Sequence, residues 1–258
     1  MNFIKSNIQK GVLTLTLNRP EKFNSFCRDM ALQLQTLLED ANTNTDVRCI
    51  VLTGEGKAFC AGQDLSEAID DNGISISQIV EEHYNPIILK LRKLEKPVIA
   101  AVNGVAAGAG ANIALACDIV VAHEAASFIQ AFSKIGLIPD SGGTYFLPRL
   151  IGMQKATALM MTGQKVDAAS AQAMGMIYTF YTADNFATEV EKLALQLANM
   201  PTKALALTKK LLNGTFQNTL ESQLHQEGNM QLLASESYDY QEGVNAFLEK
   251  RSPLFKGE

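Results

Sequence analysis

Apolar and polar residues alternate along Gly11-Val12-Leu13-Thr14-Leu15-Thr16-Leu17-Asn18, the two-residue period of a half-buried strand. After the turn Asn18-Arg19-Pro20-Glu21-Lys22 the period lengthens. Met30, Leu34, Leu37, Leu38 and Ala41 fall on one face of a helix from about Arg28 to Ala41. Cys49–Gly54, Lys96–Val102 and Cys117–Ala122 are short continuous apolar runs, as expected of buried strands. Between the first two, Val80, Tyr84, Ile87, Ile88 and Leu91 recur at helical spacing over Ser77–Leu94, with Pro86 placed to kink the helix. The loop Asp70-Asp71-Asn72-Gly73 is the expected mobile flap. From about Phe186 onward strand signals stop, and helical patterns cover Glu189–Asn199, Lys203–Asn213, Thr219–Glu236 and Tyr240–Glu249. This order predicts an α/β fold with covered sheet faces and an all-helical C-terminal region.

The length of 258 residues fits one large domain or a domain with an appendage; here the reading is a core over 1–195 and a helical region over 196–258. An apolar share of 47% against 19% charged gives enough material for a sizeable core. The net charge of −5 and the lack of a basic run speak against nucleic acid as a partner. No run reaches the roughly 18–20 apolar residues of a membrane span, and Met1–Ser6 shows no apolar signal region. Cys27, Cys49, Cys60 and Cys117 have no paired spacing, which fits reduced thiols in a cytoplasmic protein.

Several chemistries lack their motifs. His83, His123 and His225 are far apart and show no metal-ligand spacing, so no metal is expected. There is no nucleophile elbow. Gly56-Lys57 lacks the rest of a phosphate loop, and Gly108-Ala109-Gly110 lacks the rest of a dinucleotide fingerprint. No cofactor is therefore expected.

Three segments carry what chemistry there is. Gly108-Ala109-Gly110-Ala111-Asn112 follows a strand and opens a helix, where free N–H groups and small residues suit either an anion or tight packing on a sheet. Phe59-Cys60-Ala61-Gly62-Gln63-Asp64-Leu65 ends a strand in a glycine-punctuated loop, with Asp64 as a candidate N-cap. Ile138-Pro139-Asp140-Ser141-Gly142-Gly143-Thr144 places one carboxylate before a helix. Asp140 fits an N-cap; in a partly apolar pocket it would instead be a proton shuttle with a raised pKa.

Taken in order, these segments resemble the crotonase, or enoyl-CoA hydratase/isomerase, superfamily. The likeness runs from Leu17-Asn18-Arg19-Pro20 through Phe59–Leu65, Lys96–Gly104 and Gly136–Gly143 to Glu242–Arg251. It implies a crotonase-like spiral of ββα units with a helical C-terminal trimerisation region, assembled as a homotrimer or a dimer of trimers. It implies an acyl-CoA thioester as substrate, with coenzyme A arriving as part of it. The resemblance maps the oxyanion-hole N–H groups to Gln63 and Ala109. It maps coenzyme A contacts to Lys22, Phe23 and Ala61, where an exposed turn lysine and a core phenylalanine fit as well. Tyr145 would line the acyl pocket or serve as a core aromatic. The glutamate pair of the hydratases falls on Asn112 and Phe132, which cannot do that acid–base work and are left as substrate-binding positions. Asp140 stands where several isomerases and a dehalogenase of the superfamily place an aspartate; the dehalogenase uses it as a nucleophile with a nearby tryptophan, and this chain has none, which favours proton transfer. Phe59–Leu65, Val102–Gly110 and Ala131–Tyr145 look most like the branch that converts ring 1,2-epoxyphenylacetyl-CoA to oxepin-CoA in phenylacetate degradation. The alternatives are a general 3,2-enoyl-CoA isomerase, a hydratase, or a catalytically idle acyl-CoA-binding subunit.

Overall fold

The computed structural model describes residues 2–68 and 73–258. The alternating run at 11–18 forms strand β2 (Val12–Leu17), paired antiparallel with β1 (Ile4–Gln9). β1 carries only Ile4 and Ile8 as apolar residues, too few for its period to be read. The apolar runs form β3 (Cys49–Gly54), β5 (Val98–Val102) and β7 (Ile119–His123). With β10 (Thr179–Tyr181) they complete a six-stranded sheet in the order β1-β2-β3-β5-β7-β10, parallel from β2 onward.

Each of β3, β5 and β7 is followed at once by a three-residue strand in a second sheet: β4 (Ala58–Cys60), β6 (Val105–Ala107) and β8 (Ser127–Ile129). These run parallel to one another, and β9 (Lys165–Asp167) closes the edge antiparallel to β8. A helix or helices follow each strand pair, so the chain winds as successive ββα units. After β4 come α2 (Leu65–Ala68), α3 (Ile76–Gln78), a π turn (Ile79–Tyr84) and α4 (Asn85–Lys93). After β6 comes α5 (Ala109–Ala116), and after β8 come a 3-10 turn (Ala131–Ile135), α6 (Gly143–Ile151) and α7 (Met153–Thr162). α8 (Ala168–Ala173) links β9 to β10, and α1 (Arg28–Thr43) lies between β2 and β3. The main core buries Leu15, Leu17, Leu34 and Ile87 together with every residue of the apolar helix α5.

The expected kink at Pro86 takes a specific form. Proline has no N–H to give the preceding turn, and the helix widens to a π turn before it, with the Asn85 N–H reaching Val80 O. Gln35 Nε2 on α1 donates to the carbonyls of Glu82 and His83 in this turn, at 2.7 and 3.2 Å.

The C-terminal helices are α9 (Phe186–Ala198), α10 (Thr202–Gly214), α11 (Leu220–Ser235) and α12 (Tyr238–Glu249). The expected boundary at 195/196 falls inside α9. Ala194 and Ala198 of that helix share a buried cluster with Cys49, Val51, Ile99, Ala101 and Val121 of the sheet, so α9 belongs to the core throughout. α10 is tied down as well, since the buried Lys209 ammonium meets Asp118 at 2.7 Å beside Arg92. Asp70, Asp71 and Asn72 of the expected flap lie outside the described residues.

Candidate active site

Small residues let three segments converge. A Cβ on Gly110 would sit 2.4 Å from Cys60 O, so only glycine lets α5 press this closely on the end of β4. A Cβ on Gly143 would meet Asn112 Nδ2 at 2.3 Å, which brings α6 equally close to α5. The packing reading of the small-residue segment therefore holds at Gly110 and at its neighbour Gly143.

Between the segments lies a cavity of about 230 Å³ lined by Ala61, Gln63, Ala109, Phe132 and Asp140, with Leu65, Ile76, Ile79, Val80, Ile135 and Leu137 as apolar wall. Tyr84 and Lys134 also line it, and Asp140 is its only acidic residue among those described. A larger groove of about 400 Å³ between the sheet and α9 contains none of the candidate residues.

Two residues of this lining, Gln63 and Ala109, carry backbone N–H groups that the fold leaves free among the described residues. Phe26 bridges to the loop at Gln63: the Phe26 N–H donates to Gly62 O at 2.7 Å, and the Asp64 N–H to Phe26 O at 2.8 Å. Successive peptide groups of an extended chain point to opposite edges, so the Gln63 N–H points away from Phe26. Ala109 is the first residue of α5, whose first N–H groups have no partner inside the helix. Neither N–H donates a hydrogen bond within the described residues. The two segments meet at Gly62, where a Cβ would lie 3.5 Å from Ala109 N. Gly108 turns the chain into the helix at φ 54°, ψ −129°, a conformation that only glycine adopts readily.

Asp140 does not cap α6. The N-cap position is Gly142, and no side chain bonds to the helix there. The Asp140 carboxylate accepts from the Ser141 hydroxyl, at 2.8 Å. Ser141 and Gly142 both take left-handed backbone, with φ 51° and 72°, which swings the chain from the cavity into α6. Burial pushes the Asp140 carboxyl above its ordinary pKa, and the Ser141 hydrogen bond offsets part of that rise.

Other expected residues fall elsewhere. Asn112 is fully buried beneath the cavity, not in its wall. It donates to Asp140 O at 2.8 Å and accepts from Gln130 Nε2 at 2.8 Å, so it fastens the Asp140 turn to α5. Tyr145 also misses the cavity lining. Its ring carries the Arg149 guanidinium at 3.6 Å, because one helical turn brings residue 149 over it. Lys22 and Phe23 are exposed and lie outside the lining, but the Ala61 N–H donates to Phe23 O at 3.0 Å and holds their turn beside the cavity mouth. Asp64 does act at the start of α2: it accepts from the Ser66 N–H and hydroxyl, and pairs with Arg19 at 2.9 Å.

Tyr84 and Glu67 were not singled out from the sequence. Tyr84 occupies a core-like helical position and is indeed buried, yet its hydroxyl donates to Gln63 Oε1 at 2.7 Å. Glu67 accepts from Gln63 Nε2 at 2.8 Å. Only the folded chain brings Tyr84 to Gln63.

The enoyl-CoA hydratase/isomerase family model matches residues 7–258. The chain belongs to the enoyl-CoA hydratase/isomerase family. It is 49% identical to the 1,2-epoxyphenylacetyl-CoA isomerase of Escherichia coli K12, over the whole of both chains. It is 41% identical to a probable enoyl-CoA hydratase of Rhodobacter capsulatus, over 98% of each. A putative enoyl-CoA hydratase/isomerase from Mycobacterium abscessus has a crystal structure that superimposes with a TM-score of 0.93 at 36% identity, covering 99% of this chain and all of that one. The fold of this enzyme is the crotonase fold. Among the described residues no helix is long and apolar enough to cross a membrane, and no group of His, Cys, Asp or Glu is placed to hold a metal.

Proposed function

We propose that this enzyme isomerises acyl-CoA thioesters through an enolate, with 1,2-epoxyphenylacetyl-CoA to oxepin-CoA as its reaction. The observation that carries the reading is Asp140: one half-buried carboxylate in the wall of the cavity that also receives the unpartnered N–H groups of Gln63 and Ala109. The thioester oxygen sits between those two donors. Asp140 takes a proton from the carbon beside the thioester, and the C–H electron pair moves into the enolate. The same carboxyl then returns the proton further along the conjugated system, so no atom is gained or lost. The arene epoxide opens to its oxepin valence tautomer, and one acid suffices for the proton movement. The two N–H groups stabilise the oxygen most when it is fully charged, and removing one such donor costs about 3–4 kcal/mol of transition-state stabilisation.

The 49% identical E. coli relative supports the epoxide substrate. Against a hydratase stand Asn112 and Phe132, which occupy the positions of the glutamate pair and carry no acid. Coenzyme A runs along Ala61, Lys22 and Phe23, and the chain works as a homotrimer or a dimer of trimers in the cytoplasm. The test is mass spectrometry of products from epoxyphenylacetyl-CoA, a 3-enoyl-CoA and a 2-enoyl-CoA, each offered separately. An isomerase returns a rearranged product of unchanged mass from the first two. A product heavier by one water overturns the reading in favour of hydration, and unchanged substrates that bind would indicate an idle subunit.

A further inference from the structure

We infer that a half-buried clamp, running from the N-terminus of α1 through Glu67 and Gln63 to Tyr84, fixes the direction of the Gln63 oxyanion donor, with Tyr84 as a positioning residue. The inference rests on the enolate reading above. The clamp begins at Arg28, the first residue of α1, whose N–H has no helical partner. It donates to both oxygens of Glu67, at 2.9 and 3.1 Å, and the positive end of the helix favours a carboxylate there. Glu67 in turn accepts from Gln63 Nε2 at 2.8 Å.

That contact decides the rest of the chain of donors. A carboxylate offers only acceptors, so the amide nitrogen of Gln63 must face Glu67 and its oxygen must face Tyr84. The phenol therefore donates to Gln63 Oε1, as the 2.7 Å contact allows. The proton of Tyr84 is committed to this bond and is not offered to a substrate. Burial holds the phenol well above its ordinary pKa, so the donor persists across the working pH range.

The ring is equally fixed. Phe26 meets Tyr84 edge to face, with centroids 6.0 Å apart and planes at 78°. Phe26 is also the residue that bridges the loop at Gln63. Gln63 is thus held on its main chain by Phe26 and on its side chain by Glu67 and Tyr84. Its neighbour Gly62, at φ 95°, has no side chain of its own to restrict the peptide that carries the Gln63 N–H. The Phe26 bond to Gly62 O holds one edge of that peptide, and the clamp adds a second hold through the Gln63 side chain.

The test uses Tyr84→Phe, which keeps the ring and deletes the donor, together with Gln63→Met, which keeps the main-chain N–H and deletes both side-chain partners. Turnover is measured on a 3-enoyl-CoA. Polarisation of the thioester is read as the red shift of cinnamoyl-CoA absorbance on binding. A donor displaced by a fraction of an ångström should lower kcat about tenfold with KM nearly unchanged, and should shrink the red shift. The double variant should be no worse than Gln63→Met alone, because both changes break one unit. Wild-type kcat and red shift in both single variants would overturn the clamp. If the wild-type enzyme itself gave no red shift, the oxyanion reading would fail first, and the clamp with it. Should Tyr84→Phe not fold, Gln63→Met decides the question alone: an unchanged shift refutes the clamp and a diminished one supports it.

Discussion

Asp140 is held where its charge is unfavourable, which suits the proton-carrying role proposed for it. Burial raises its pKa above the ordinary carboxylate value, which brings it closer to the working pH of a general base. As the base it must be ionised, so kcat/KM should fall as pH drops through that raised value and level off above it. Asp140→Asn keeps the shape but cannot take a proton. Isomerisation should drop to background while acyl-CoA still binds, as measured by turnover and by calorimetric titration. The folded pKa lies above the unfolded one, so ionised Asp140 lowers stability at pH values above the folded pKa, and the penalty fades as pH falls through it. The asparagine variant should therefore melt no lower than wild type at neutral pH. A folded variant with near-wild-type turnover would remove Asp140 from the reaction. The sequence left Asp140 as an N-cap, the better fit to the residues alone, or a proton carrier, and the structure excludes the cap. Asn112 and Tyr145 lie outside the cavity lining, since a match of positions does not say whether a side chain faces a cavity or the layer behind it. Tyr84 had no local signal, because its partner Gln63 is 21 residues away; Glu67, four residues from Gln63, was within local reach.

At the scale of elements the decisive piece is α5, a helix buried on all sides whose N-terminus opens on the cavity. Its first residue, Ala109, offers a clean test. Proline is well tolerated at the first helical position, where its missing N–H costs no internal hydrogen bond. Ala109→Pro should therefore fold, retain a far-ultraviolet circular dichroism spectrum like the parent's, and lose about 100- to 1,000-fold in kcat because one oxyanion donor is gone. Full activity in a folded variant would mean that the thioester oxygen is not held at Ala109. The long elements were readable from their periods: α1 and the four C-terminal helices lie within a few residues of expectation. β4, β6 and β8 were not, because three residues are too few to display a two-residue period. The π turn was invisible for another reason. Proline announces a break, but whether the helix bends or widens depends on groups such as Gln35 that take up the carbonyls of the turn.

For the whole molecule, the question is what covers the last two helices. α11 has no buried residue, although Leu220, Leu224 and Leu232 lie along it. On α12 and the tail beyond it, Phe247 is 83% exposed, Leu248 72% and Leu254 75%. Scattered apolar residues on a surface are ordinary, but a concentration on two neighbouring helices is what the contact face of the proposed homotrimer would look like. The tail is not loose: Asp239 accepts from the N–H groups of Lys256 and Gly257, and Glu242 from Leu254 and Arg251, so these side chains are presented on a fixed frame. The proposed homotrimer would bury them. Fully burying a phenylalanine or leucine side chain is worth about 1.5–3 kcal/mol, roughly a factor of ten or more in an association constant. Phe247→Asp combined with Leu248→Asp should shift the protein toward monomer at micromolar concentration in light scattering after size exclusion. Its melting temperature should fall and become less dependent on concentration, because folding would no longer be linked to assembly. The internal frame of Asp239 and Glu242 is untouched by these changes, so a monomer produced this way should keep its secondary structure. If wild-type protein ran as a monomer, or the double variant assembled as well as wild type, the contact face would have to be sought elsewhere on the surface.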